Sequence, residues 1–96
     1  MSRVVLSPKA KSDLSDIWDY TLEQWGLDQA EKYIRELWVA IEQKTGDPKM
    51  SIVIDDVRKD YRKIISGSHV IFFKLMDEGV DIVRILHQRM DFERHF

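Results

Sequence analysis

The sequence has no cysteine, no long apolar run, little net charge and none of the common catalytic signatures. Without cysteine there is no disulfide scaffold, no thiolate metal site and no thiol nucleophile, a composition that fits a reducing cytoplasm. No run approaches the ~18 apolar residues of a membrane-spanning helix, and Met1 to Leu6 is too short for a signal peptide. A net charge of −2 argues against a general binder of polyanions. There is no glycine-rich phosphate loop, no H-E-x-x-H and no G-x-S-x-G, and no internal repeat or low-complexity segment.

What is present suits one small folded domain covering residues 1–96. The chain is 44% hydrophobic and 33% charged, with ten aromatic residues, enough for a packed core. A chain of this size buries somewhat over ~60% of its unfolded surface, so its stability is modest and a permanent partner is expected.

Val4-Val5-Leu6 predicts a first strand, closed by Ser7-Pro8, a helix cap followed by a proline that has no amide donor to lose. Ala10, Leu14, Ile17, Trp18, Thr21 and Trp25 then fall on one face of a helix, which Gly26 ends. Asp28-Gln29-Ala30-Glu31 matches a capping box with Asp28 as the cap. Ala30, Tyr33, Ile34, Leu37, Trp38 and Ile41 repeat the helical spacing up to Gly46-Asp47-Pro48. Two such helices, joined by about two or three residues, form an antiparallel hairpin that needs a further layer to cover it.

The second half supplies that layer. Tyr61 to Ile65, Val70 to Met76 and Val80 to Leu86 read as strands, with turns at Gly67-Ser68 and Asp77-Glu78-Gly79. In the last strand Val80, Ile82 and Leu86 are expected on one face, Val83 and Ile85 on the other. Residues 49–60 read as a loop with a short helical turn. The expected fold is α+β, in the order β-αα-βββ, a helical hairpin packed on a mostly antiparallel sheet.

Several side chains are candidates for function. Asp13, Asp16, Asp19 and Glu23 recur at helical spacing and read best as a solvated acidic face rather than a cation site. His69, His87 and His95 are too scattered for a metal motif, although a hairpin would bring His69 near the strand that bears His87. No cofactor is expected. Residues 1–48 carry six basic and nine acidic side chains, whereas residues 49–96 carry nine basic and eight acidic. The basic excess lies on or beside the sheet, so one face is expected to be locally cationic. Trp18, Trp25 and Trp38 fall on the helical stripes. Three indoles are hard to bury under a single-layer sheet, which leaves aromatic surface for a partner.

The segment Leu6-Ser7-Pro8-Lys9-Ala10, with Asp13-Leu14 and Ile17-Trp18-Asp19-Tyr20, resembles the opening of ParE toxins of the RelE/ParE superfamily. Tyr61-Arg62, Gly67-x-His69-x-Ile71-Phe72-Phe73 and Val80-x-Ile82-Val83-Arg84-Ile85-Leu86-His87-x-x-x-Asp91 extend the resemblance, in order, along nearly the whole chain. The resemblance implies the toxin of a type II toxin–antitoxin pair, aimed at DNA gyrase and neutralised by a ParD-like antitoxin, a ribbon-helix-helix protein. It implies no enzyme, no membrane association and no direct sequence-specific contact with nucleic acid. A rival activity in the superfamily is ribosome-dependent mRNA cleavage by RelE-like members. That chemistry needs cations at the scissile phosphate and an acid or base at the 2′-hydroxyl, for which Arg62, Arg84 and His87 are the candidates. No carboxylate–histidine or tyrosine–histidine arrangement is evident in the sequence. The favoured assignment is a target-binding surface at Arg62, His69, Arg84, His87 and Arg89, and an antitoxin-binding surface at Trp18, Trp25, Tyr33 and Trp38.

Overall fold

The computed structural model describes residues 3–90 and residue 94. Strand β1 (Arg3–Leu6) leads into Ser7, whose hydroxyl accepts the Ala10 N–H at 3.0 Å and donates to the Val83 carbonyl at 2.7 Å. One side chain therefore caps helix α1 (Pro8–Trp25) and ties its start to a strand more than seventy residues away. Ala10, Ile17 and Thr21 are the buried face of α1, and the Thr21 hydroxyl donates to the Ile17 carbonyl one turn back at 2.7 Å. Gly26, at φ 91°, is the whole connection to helix α2 (Leu27–Lys44). The expected cap at Asp28 is thus corrected. The glycine lets the chain reverse in one residue, α2 starts at once, and Asp28 lies in its first turn near the positive end of the helix dipole.

Ala30, Leu37, Ala40 and Ile41 form the buried stripe of α2. After a 3₁₀ turn at Pro48–Met50 comes a two-residue strand, β2 (Ile52–Val53), which pairs with Lys63 and Arg62. The expected helical turn is there; the pairing of Ile52-Val53 was not foreseen, because two residues are too few for a periodic signal. Strands β3 (Tyr61–Ser66), β4 (His69–Met76) and β5 (Gly79–His87) follow as an antiparallel meander. The sheet order is β1-β5-β4-β3-β2, with β1 parallel to β5 and every other pair antiparallel. A Cβ on Gly79 would collide with the Arg3 backbone, so β1 can approach β5 this closely only at glycine.

The two helices cover one face of the sheet. Ile64, Ile71, Phe73, Val80, Ile82 and Ile85 pack there with Ala10, Ile17, Leu37 and Ile41. A smaller cluster of Ile54, Phe72 and Leu86, with Tyr61 and Val70, forms apart from it. The division corrects the expected faces of β5. Phe72 pairs with Arg84 but Phe73 pairs with Ile82, so Val83 is an extra residue in the ladder. This β-bulge shifts the alternation by one, which puts Ile85 with Val80 and Ile82 and sends Leu86 to the smaller cluster.

Candidate functional site

The β3–β4 turn and the end of β5 place the histidines together. Ser66 pairs with His69 across Gly67-Ser68, and His69 pairs with His87 across the β4–β5 ladder. Their rings meet edge-on at 83°, with centroids 5.4 Å apart. Tyr33, from the middle of α2, reaches the same point: its hydroxyl lies 2.6 Å from His69 Nδ1 and accepts the Ser68 N–H at 3.0 Å. Its ring lies over the turn, where a Cβ on Gly67 would come within 2.8 Å of it, and Gly67 has φ 56° besides. Glycine is required there twice over. Burial, and to a lesser degree the charge of His87, lowers the His69 pKa to about 4, so this ring is neutral near pH 7. Burial raises the Tyr33 phenol, which keeps its proton. His87 Nδ1 accepts the Arg89 backbone N–H at 3.1 Å.

One expectation is corrected here. A tyrosine–histidine pair does exist, formed by Tyr33, which is half-buried against the main core and reaches the sheet end. The partners are 36 residues apart, so no local spacing signals them.

Asp13 brings a second correction. Its carboxylate receives Arg84 Nε at 2.8 Å, Arg84 Nη2 at 2.8 Å and the Ile85 N–H at 2.9 Å. Both side chains are nearly enclosed, at 14% exposure for Arg84 and 11% for Asp13. The cause lies in the sheet, since β1 pairs with β5 only as far as Leu6 and Ile82, leaving the edge of β5 beyond it without a strand. The first turns of α1 run along that edge, and Asp13 takes the place of the missing strand. Of the supposed acidic row, Asp16, Asp19 and Glu23 remain exposed. The bidentate bond to Asp13 raises the Arg84 pKa and matches its charge.

The five residues expected at a target surface are therefore only partly assembled. His69 and His87 touch, and Arg89 is exposed just past the end of β5. Arg84 is adjacent but engaged by Asp13. Arg62 stands four residues back along β3, where its guanidinium donates to Ser51 Oγ at 3.2 Å. His95 and Asp91 lie outside the described residues. Among the described residues no three histidine or acidic side chains converge on a metal-sized site.

The hairpin differs. Trp38 packs partly buried against the main core and Trp18 is half-buried, but Trp25 is 71% exposed. Thr21 takes the last buried position of α1, and Trp25 lies one turn further, at the very end of the helix. Tyr20, Leu22 and Leu27 are also exposed in the residues that flank the junction of the two helices. Among the described residues no helix is long and apolar enough to cross a membrane.

A family model described as the ParE toxin of the type II toxin–antitoxin system parDE matches residues 4–92. The chain is 47% identical over 95 residues to Toxin ParE1 of Mycobacterium tuberculosis, covering 98% of this chain and 97% of that one. It is 43% identical over 90 residues to Toxin ParE1 of Caulobacter vibrioides, covering 94% and 93%. In three dimensions it is similar to a chain of the chromosomal ParDE system from P. aeruginosa. The TM-score there is 0.75 at 17% identity, covering 91% of this chain and 96% of that one.

Proposed function

The chain belongs to the ParE toxin family of type II toxin–antitoxin systems, and from that premise we propose that it inhibits DNA gyrase by protein–protein contact, without catalysis. A ParD-like ribbon-helix-helix antitoxin neutralises it in the cytoplasm. The observation that carries the non-catalytic reading is the Asp13–Arg84 pair. Arg84, one of the two guanidiniums that could serve a phosphate-cleaving centre, is held by a carboxylate through two hydrogen bonds. The antitoxin docks on the hairpin, with Trp25 as the leading contact and Trp18 and Trp38 behind it. An indole that is 71% exposed at a helix end is an anchor of the kind that dominates interface energetics.

The Tyr33–His69–His87 chain favours a second reading, RelE-like cleavage of mRNA on the ribosome, because it puts a phenol and two imidazoles in contact. Against it, the Tyr33 hydroxyl is already tied to the Ser68 N–H and His69 Nδ1 to Tyr33. Purified toxin added to a gyrase supercoiling assay, beside a translation-coupled mRNA cleavage assay, separates the two. The contact reading expects inhibition in the first and no cleavage in the second.

A further inference from the structure

The two histidines at the sheet end are fixed in their tautomers by different partners. His87 Nδ1 accepts a backbone N–H from Arg89, so the proton of the neutral ring sits on Nε2. The Tyr33 oxygen already accepts the Ser68 N–H, and its own O–H has His69 Nδ1 within donating distance at 2.6 Å. With the phenol as donor, the proton of neutral His69 also sits on Nε2. Neither Nε2 meets an acceptor among the described residues. Among the described residues no enclosed side-chain nitrogen or oxygen lacks a partner, so neither Nε2 is a buried orphan donor. The edge-on contact holds the two rings together at one end of the sheet, with centroids 5.4 Å apart.

We propose that His69 and His87 form a receptor for a single carboxylate, the side chain of an aspartate or glutamate on a protein partner, held by two Nε2–H donors. The proposal rests on the contact reading above and gives that contact its chemistry. A metal ion fits poorly: an imidazole bound to metal through Nε2 donates from Nδ1, and His87 Nδ1 is an acceptor here. A nucleic-acid backbone also fits poorly, because it is held by several cations, and the Arg84 guanidinium on the same strand is matched by Asp13. Two imidazole N–H donors, with the exposed Arg89 close by in sequence, suit a lone carboxylate. In this arrangement Tyr33 is a positioning residue, acting on the ligand only through the tautomer of His69.

Long-range proton–nitrogen correlation spectra of the full chain near pH 7 read each tautomer directly. Both rings are expected as Nε2–H. Titration with sodium acetate, at ionic strength held constant with sodium chloride, should shift both Nε2 signals saturably, and inorganic phosphate should bind no more tightly. Tyr33→Phe should let His69 sample the other tautomer and weaken acetate several-fold. His87→Ala should abolish the saturable response of His69, and His87→Gln, whose amide N–H replaces the donor, should restore part of it. An Nδ1–H tautomer in either ring, a response that never saturates, or phosphate tighter than acetate by about tenfold would overturn the proposal. If acetate binds as expected while gyrase supercoiling is untouched, the receptor stands and the choice of gyrase as target fails.

Discussion

The two ends of α1 obey different rules. At its start the polar groups answer one another within the chain: Ser7 reaches Val83, and Asp13 holds Arg84 and the Ile85 amide. At its finish Trp25, with Leu27 just across Gly26, is left facing solvent with no part of the described chain to cover it. The first end is closed by the fold itself. The second is left open, and the proposed antitoxin contact lies there. Mutations should accordingly damage stability at one end and binding at the other.

Asp13→Ala breaks this comparison hardest. It removes both Asp13 hydrogen bonds from a nearly enclosed guanidinium and the one held by an edge amide, and should cost about 3 kcal/mol in a urea melt. A loss under ~0.5 kcal/mol would mean that the clamp is ornamental. Gly67→Ala comes next, at about 2 kcal/mol, since a side chain must adopt φ 56° and displace the Tyr33 ring. Loss of the Tyr33–His69 hydrogen bond in the same variant would appear as a change in the His69 nitrogen signals.

The two predictions also mark the limit of what sequence spacing carries. The apolar stripes of both helices, the Ser7-Pro8 start and the Gly67-Ser68 turn are local patterns, and each was legible. The Asp13–Arg84 bond spans 71 residues and the Tyr33–His69 bond 36, so neither leaves a trace in local periodicity. The bulge at Val83 was hidden for a related reason. A strand of valines, isoleucines and leucine reads equally well in either alternation, and only the partner strand sets the register. Trp25 obeys the helical spacing but lies at the end of its helix, where the pattern no longer guarantees cover.

Acidification sharpens the comparison with a smaller effect. The folded His69 pKa of about 4 lies below the unfolded value of 6.5, so the unfolded chain binds the extra proton in that window. The contribution of His69 is therefore complete above pH 6.5 and declines as pH falls toward 4, by an amount of order 1 kcal/mol for a ring still partly open to solvent. His69→Gln should flatten this slope in melts recorded across that range. Asp13, whose charge partly opposes the shift, must stay in place for the comparison.

Trp25→Ala should change stability least, by no more than about 0.5 kcal/mol, because the indole covers little of the core. The same variant should weaken binding of the antitoxin by about tenfold or more in calorimetry. Unchanged affinity would remove the hairpin end from the interface.

The account turns on whether toxicity is contact or catalysis, and His87→Ala tests it most directly. Wild type and variant should be compared in the gyrase supercoiling assay and in translation-coupled mRNA cleavage. A contact toxin should inhibit supercoiling, cleave no mRNA, and keep inhibition within several-fold when one contact among many is lost. Cleavage of translated mRNA by the wild type that falls by ~10²–10⁴ in His87→Ala, with supercoiling untouched by either protein, would contradict the account.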